Sequence, residues 1–315
     1  MKQSFIFILL CLLTGCLNYN LNKYLIISNY TEMKPAILDL STGIQYGFRK
    51  DIINKKDFPY FRMLKVLPEQ NEIIFLWTTN DYNSGDSLIE VHSMADESVK
   101  KYNFQEIIIW VDKQGDTIYY STLKGIYSFI NNIKKEVYIA GENCWFWQLR
   151  MIDKYICTNQ SCSNNHNLII IDLNDGQVKY REIDIIALEV YDNFIYCIKK
   201  NYKDKKLNIF ELNVKDFSKK EFDTTKISLP DFFEFFTKIE EPYFFLTDSV
   251  EKHPLTSLFE ILFVLNKDSY YKYYSIINIK TMEKKKLIGP VNPWGAPIIQ
   301  VIPRNNLLKK YLSAY

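Results

Sequence analysis

Cys144, Cys157, Cys162 and His166 stand close together along the chain, three thiols and an imidazole that match the donor types of a tetrahedral zinc site. Their spacing has no C-x-x-C knuckle, and thiols in an oxidising compartment pair with one another. No metal is expected. Cys144, Cys157, Cys162 and Cys197 form an even set with three pairings open to it. One of these joins Cys157 to Cys162 around a small loop and leaves Cys144 for Cys197. Cys157 and Cys197 also lie inside apolar, strand-like runs, so buried free thiols are the alternative.

Acid–base chemistry has few candidates. The three histidines, His92, His166 and His253, are far apart, and no G-x-S-x-G, phosphate-loop, H-E-x-x-H or G-x-G-x-x-G motif occurs. Glu240-Glu241 and the pair Asp231 and Glu234 are the carboxylates that could serve glycoside hydrolysis. Adjacent residues of a strand point to opposite faces, so Glu240 and Glu241 cannot face one another if the stretch is extended. They read as solvated acids. No catalytic residue and no cofactor is expected. Trp145-Phe146-Trp147 is read as packing, with Trp145 or Trp147 in the core and Phe146 on the opposite side. Trp294, between Pro293 and Gly295, is a candidate contact for a partner.

Cys16 carries the most definite chemistry. Lys2 is followed by an apolar run from Phe5 to Leu13 and then by Thr14-Gly15-Cys16, the layout of an export signal. The run is too short to span a bilayer, which takes about 20 apolar residues. Leu13-Thr14-Gly15-Cys16 resembles the lipobox of bacterial lipoproteins. The resemblance implies cleavage before Cys16 and a diacylglycerol thioether on its sulfur, which would hold the chain at a membrane outside the cytoplasm. Leu17 replaces the Asp that would resemble an inner-membrane retention signal, so the outer membrane is favoured in a cell with two membranes.

Loss of residues 1–15 removes Lys2 alone from the charged set and leaves 300 residues with a net charge of +1. That length is ample for a core, and the near-neutral balance offers no field for nucleic acid. Beyond a short tether at 16–22, strand-forming residues dominate in short runs bounded by Asn, Asp, Gly, Ser and Lys. An apolar–polar–apolar pattern followed by a turn recurs six times, at Leu38-Asp39-Leu40, Ile89-Glu90-Val91, Tyr127-Ser128-Phe129, Ile171-Asp172-Leu173, Phe210-Glu211-Leu212 and Ile277-Asn278-Ile279. The spacings are 51, 38, 44, 39 and 67 residues, of which the central three match a propeller-blade period. Most copies follow a second strand-like run, the last of these being Glu260–Leu265.

These segments resemble the strand–turn–strand unit of PQQ-like and YVTN-like bacterial β-propellers. The resemblance implies an all-β propeller of about six to seven blades over residues 23–303, with a β-sandwich as the alternative. A closing strand over Pro297–Ile302 would pair with Tyr24–Ser28, leaving 304–315 as a tail outside the ring. Aromatic side chains, 16% of the residues, suit the gaps between blades. The function expected is a tethered, non-enzymatic binding or scaffolding module for an envelope protein or glycan. A glycan-active hydrolase or a lectin on the same fold is the alternative.

Overall fold

The computed structural model describes residues 21–29, 34–42, 44–53, 55–79, 85–163, 165–201, 206–225, 237–240, 243–252, 270–278, 280–286 and 298–314. Short β-branched and aromatic runs form strands, and within each sheet neighbouring strands pair antiparallel. The first sheet contains β1 (Lys23–Asn29), β2 (Lys34–Asp39) and β3 (Gln45–Phe48). The second has β4 (Tyr60–Leu67), β5 (Glu72–Thr78), β6 (Ser87–Ser93) and β7 (Val99–Phe104). The third has β8 (Trp110–Gln114), β9 (Thr117–Ser121), β10 (Gly125–Ile130) and β11 (Ile133–Ile139). The fourth has β12 (Cys144–Ile152), β13 (Tyr155–Cys162), β14 (Asn165–Asp172) and β15 (Val178–Ile183). The fifth has β16 (Ile185–Tyr191), β17 (Phe194–Asn201), β18 (Lys206–Asn213) and β19 (Lys219–Phe222). The sixth has β20 (Thr237–Glu240), β21 (Tyr243–Lys252), β22 (Tyr270–Asn278) and β23 (Lys284–Lys286). Two last strands, β24 (Ile298–Pro303) and β25 (Leu312–Ala314), return to the first sheet, whose order is β24-β1-β2-β3-β25.

The leading strands meet in sequence: β4 lies against β8, β8 against β12, β12 against β16, β16 against β20, β20 against β24, and β24 against β4. Five four-stranded sheets and one five-stranded sheet are thereby disposed about an axis in a propeller-like arrangement. This arrangement departs from the sandwich alternative. The core lies between neighbouring sheets, because alternate residues of one strand serve two interfaces. Ile73, Phe75 and Trp77 of β5 pack toward the first sheet, while Ile74 and Leu76 pack toward the third. Ile169 and Ile171 of β14 similarly face the third sheet, and Leu168 and Ile170 face the fifth.

All six copies of the sequence pattern begin on the third strand from the axis, in β2, β6, β10, β14, β18 and β22. In four of these sheets the same turn leads outward. The N–H groups of Glu97, Gly176, Phe217 and Met282 donate to the carbonyls of Ser93, Asp172, Asn213 and Asn278 at 2.7–3.0 Å. Each of these donors has a left-handed φ, between 57° and 69°. Only one is glycine, which is why a glycine-marked repeat looks degenerate in the sequence although the backbone repeats closely.

The expected closing strand forms: β24 pairs with β1, bringing Tyr24 opposite Ile302. Two expectations are corrected. Residues 304–315 were expected to form a tail outside the ring, yet β25 pairs with β3, and Leu308 and Tyr311 are buried against Phe48, Ile52 and Phe75. Leu307, Leu308, Tyr311 and Leu312 recur at the spacing of one helical turn and so give the segment an apolar face to bury. The second strand of the sixth sheet is β21 rather than Glu260–Leu265, which lies outside the described residues.

Candidate functional site

Four successive inner strands each present one charged side chain to the axis. Lys65 on β4 pairs with Asp112 on β8, and Arg150 on β12 pairs with Glu189 on β16. Arg150 grips Glu189 with two groups, Nε to Oε1 at 2.8 Å and Nη2 to Oε2 at 3.3 Å, and donates through Nη1 to the Leu149 carbonyl at 3.1 Å. Its guanidinium also lies 5.1 Å from the centre of the Trp110 ring. Asp112 links two sheets further, because its Oδ2 accepts the Met151 N–H at 3.1 Å. On the other side Gln300 of β24 clasps β4: its Oε1 accepts the Val66 N–H at 2.8 Å and its amide donates to the Val66 carbonyl at 2.7 Å. Polar links thus join the inner strands of five consecutive sheets.

These side chains line a cavity of about 290 Å3, whose remaining wall includes Met63, Pro68, Met151, Tyr191 and Pro303. The charged groups are nearly sealed from water, with side-chain exposures of 14% for Lys65, 3% for Asp112, 7% for Arg150 and 10% for Glu189. Burial pushes the Lys65 ammonium below its ordinary pKa, opposed by the Asp112 carboxylate and reinforced by nearby Arg150. The cavity can hold a small molecule or a side chain of a partner, but both described carboxylates on its wall are bound up with buried cations.

A second cavity, of about 230 Å3, lies where the C-terminal segment meets β6. Its floor is Glu90, which accepts from Lys55 at 2.9 Å, Lys101 at 3.1 Å and His92 at 3.3 Å. Burial alone would raise the Glu90 pKa, yet the His92 and Lys55 hydrogen bonds outweigh it and hold the carboxyl at about 2. Tyr311 closes one wall, donating its hydroxyl to the Ser93 carbonyl at 2.8 Å and meeting the His92 ring edge-on.

The sequence-predicted residues are scattered by comparison. Cys144 and Cys162 are directly opposite in the β12–β13 ladder and form a disulfide with a Cα–Cα distance of 4.2 Å. The Cys157–Cys162 and Cys144–Cys197 pairing is therefore corrected. Cys157 and Cys162 occupy one extended strand, where five residues span about 17 Å, far beyond disulfide reach. Cys157 and Cys197 are free, fully buried thiols in the core between the fourth and fifth sheets. Burial raises the pKa of both, which suppresses their thiolate chemistry. The four-donor zinc grouping is not assembled, since its two outer thiols bond to each other.

Phe146, expected on the face opposite the core, is fully buried and Trp145 is half-buried, while the Trp147 side chain lies outside the described residues. Cys16, Asp231, Glu234, Glu241, His253 and Trp294 lie outside the described residues. Sequence reasoning missed Lys65, Asp112, Arg150 and Glu189. Their signal is present as a polar residue within an apolar run at the start of each unit, as in Leu64-Lys65-Val66, Leu149-Arg150-Met151, Leu188-Glu189-Val190 and Ile299-Gln300-Val301.

No protein-family model matches the chain, and no curated protein matches it in sequence. Solved structures do resemble it. A candidate 6-phosphogluconolactonase from Bacteroides fragilis aligns over 89% of this chain and 97% of its own at 8% identity, with a TM-score of 0.50. Apo AztD from Citrobacter koseri aligns over 88% of each chain at 9% identity and a TM-score of 0.41. A chain of the S. cerevisiae complex of Dbp5 with Nup159, Gle1, IP6 and ADP aligns over 78% of this chain at 13% identity and a TM-score of 0.47; this chain spans 65% of its length. The ring of sheets, together with the likeness to the Bacteroides fragilis protein, defines a β-propeller-type fold. At such identities these likenesses speak to the fold alone.

Proposed function

We propose that the chain is a lipoprotein of the cell envelope, held at a membrane through Cys16, whose propeller binds a protein or glycan partner without chemical turnover. The six sheets are read as six blades of one ring, and the outer membrane is the favoured location where two membranes exist. The observation that carries the binding reading is the paired state of the axial charges. Glycoside hydrolysis needs one carboxyl that delivers a proton and a second that acts as base or nucleophile. Asp112 and Glu189 are instead each committed to a buried cation and to backbone N–H groups. The location draws support from the lipobox-like Leu13–Cys16 stretch and from the Cys144–Cys162 bridge, since such bonds persist in oxidising compartments.

The test uses the full chain expressed in a bacterium and labelled with a fatty-acid analogue. Label should appear on the wild type and vanish in Cys16→Ala, with the precursor left uncut. The purified wild type should then retain a specific envelope component, and Trp294→Ala should weaken that retention. Release of reducing ends from envelope glycan, abolished by Glu189→Gln, would overturn the binding reading in favour of a hydrolase.

A further inference from the structure

The chain enters the ring at the same end as the axial cavity. β1 begins at Lys23, which is opposite Pro303, the last residue of β24. The Asn22 carbonyl accepts the Arg304 N–H at 3.1 Å and the Lys23 carbonyl accepts the Leu40 N–H at 3.1 Å. The cavity is lined by Pro68, Tyr191 and Pro303, residues at the C-terminal ends of β4, β16 and β24. The tight turns that follow the inner and third strands gather at this end, while the long connections 79–86, 253–269 and 287–297 join strand ends at the other.

We infer that the short-turn face with the axial cavity is turned toward the bilayer, so that whatever enters the cavity is presented by a membrane-borne partner. The inference rests on the lipid anchor proposed at Cys16. Residues 17–22 are the whole tether, and chain geometry limits their reach to about 20 Å. An inner strand such as the eight-residue β4 is about 25 Å long, which sets the thickness of the ring. A tether rooted on the short-turn face is therefore too short to run back past the ring and seat the opposite face on the membrane.

The rim of this face argues for the kind of partner. Glu69, Asp116, Asp153 and Asp192 are exposed in or beside the four successive turns that leave β4, β8, β12 and β16, whereas the cations Lys154 and Arg304 at this end are paired with Asp172 and Asp39. Such a rim is repelled by anionic lipid headgroups and attracts a basic segment. The occupant that fits is a basic segment of a membrane-embedded protein, entering a cavity whose wall already alternates charge and apolar surface.

Full-length lipidated protein in zwitterionic vesicles tests the orientation. A donor dye is placed on Ala95→Cys, in an exposed turn of the short-turn face, or on Leu123→Cys, exposed on the opposite face. The native thiols do not compete, because Cys157 and Cys197 are buried and Cys144 is bonded to Cys162. Energy transfer to an acceptor-labelled headgroup should be at least about twofold stronger from position 95, given the ~25 Å between faces. Equal or reversed transfer from vesicle-bound protein overturns the orientation and leaves the anchor intact. Failure of the wild type to stay on vesicles, with no difference from Cys16→Ala, overturns the anchor and the orientation together. Replacing some of the lipid with an anionic one should not raise transfer from position 95. A rise would show lipid headgroups to be the occupant and overturn the assignment of a protein partner.

Discussion

Arg150 and Glu189 illustrate how much of this molecule rests on single buried charges. With both side chains about nine-tenths out of water, removing one leaves the other desolvated and unpaired. Arg150→Met should cost about 3–5 kcal/mol in urea unfolding of the folded domain, and adding Glu189→Leu should recover much of that loss, because the uncompensated charge goes too. Glu90 makes a pH-dependent contribution. Its carboxyl is held near 2 in the folded protein against 4.5 ordinarily, so the unfolded chain binds the proton more tightly. The stabilisation is therefore complete above about pH 5 and is lost as pH falls through 4.5 toward 2. Denaturation midpoints measured across that window should fall more steeply for the wild type than for Glu90→Gln. Neither group was legible as special in the sequence: Glu90 sits in a repeat position that other units fill with Asp39, Ser128 or Asn278, and only its neighbours Lys55, Lys101 and His92 distinguish it.

Among the elements, the third strands and their turns were readable because their determinants are local. An apolar–polar–apolar triplet ending in Asn, Asp or Ser specifies a strand running into a turn without reference to the rest of the chain. The left-handed position hid behind Glu97, Phe217 and Met282, since packing and hydrogen bonding there override the usual preference for glycine. Inner strands were harder to place, because a lone Lys65 or Arg150 in an apolar run reads equally as one polar face of an exposed strand. The C-terminal segment was misplaced for a related reason. It is too short to form a stable element alone, and its 3-10 turn at Leu308–Tyr311 exists because Leu308 and Tyr311 fill the space beside Phe48 and Phe75. Leu308→Ala should accordingly destabilise the whole domain by about 2–5 kcal/mol, read from the shift of a single cooperative unfolding transition. An unchanged midpoint would mean that the segment is only laid on the surface.

For the whole molecule, closure is the organising constraint. The first sheet joins strands far apart in sequence, with β24 on the axial side of β1 and β25 beyond β3, so the ring is closed within one sheet. The same closure gathers Lys65, Asp112, Arg150, Glu189 and Gln300 around one cavity although they span residues 65 to 300. What the amino-acid sequence determined alone was the strand content, the repeating unit and the closing strand, because these depend on patterns within a few to some tens of residues. Which thiols meet, which charges neutralise one another and where the C-terminal segment docks were decided only by the tertiary structure. Each of those depends on which strands become neighbours, and that is settled when the sheets stack to bury faces that no single sheet can cover.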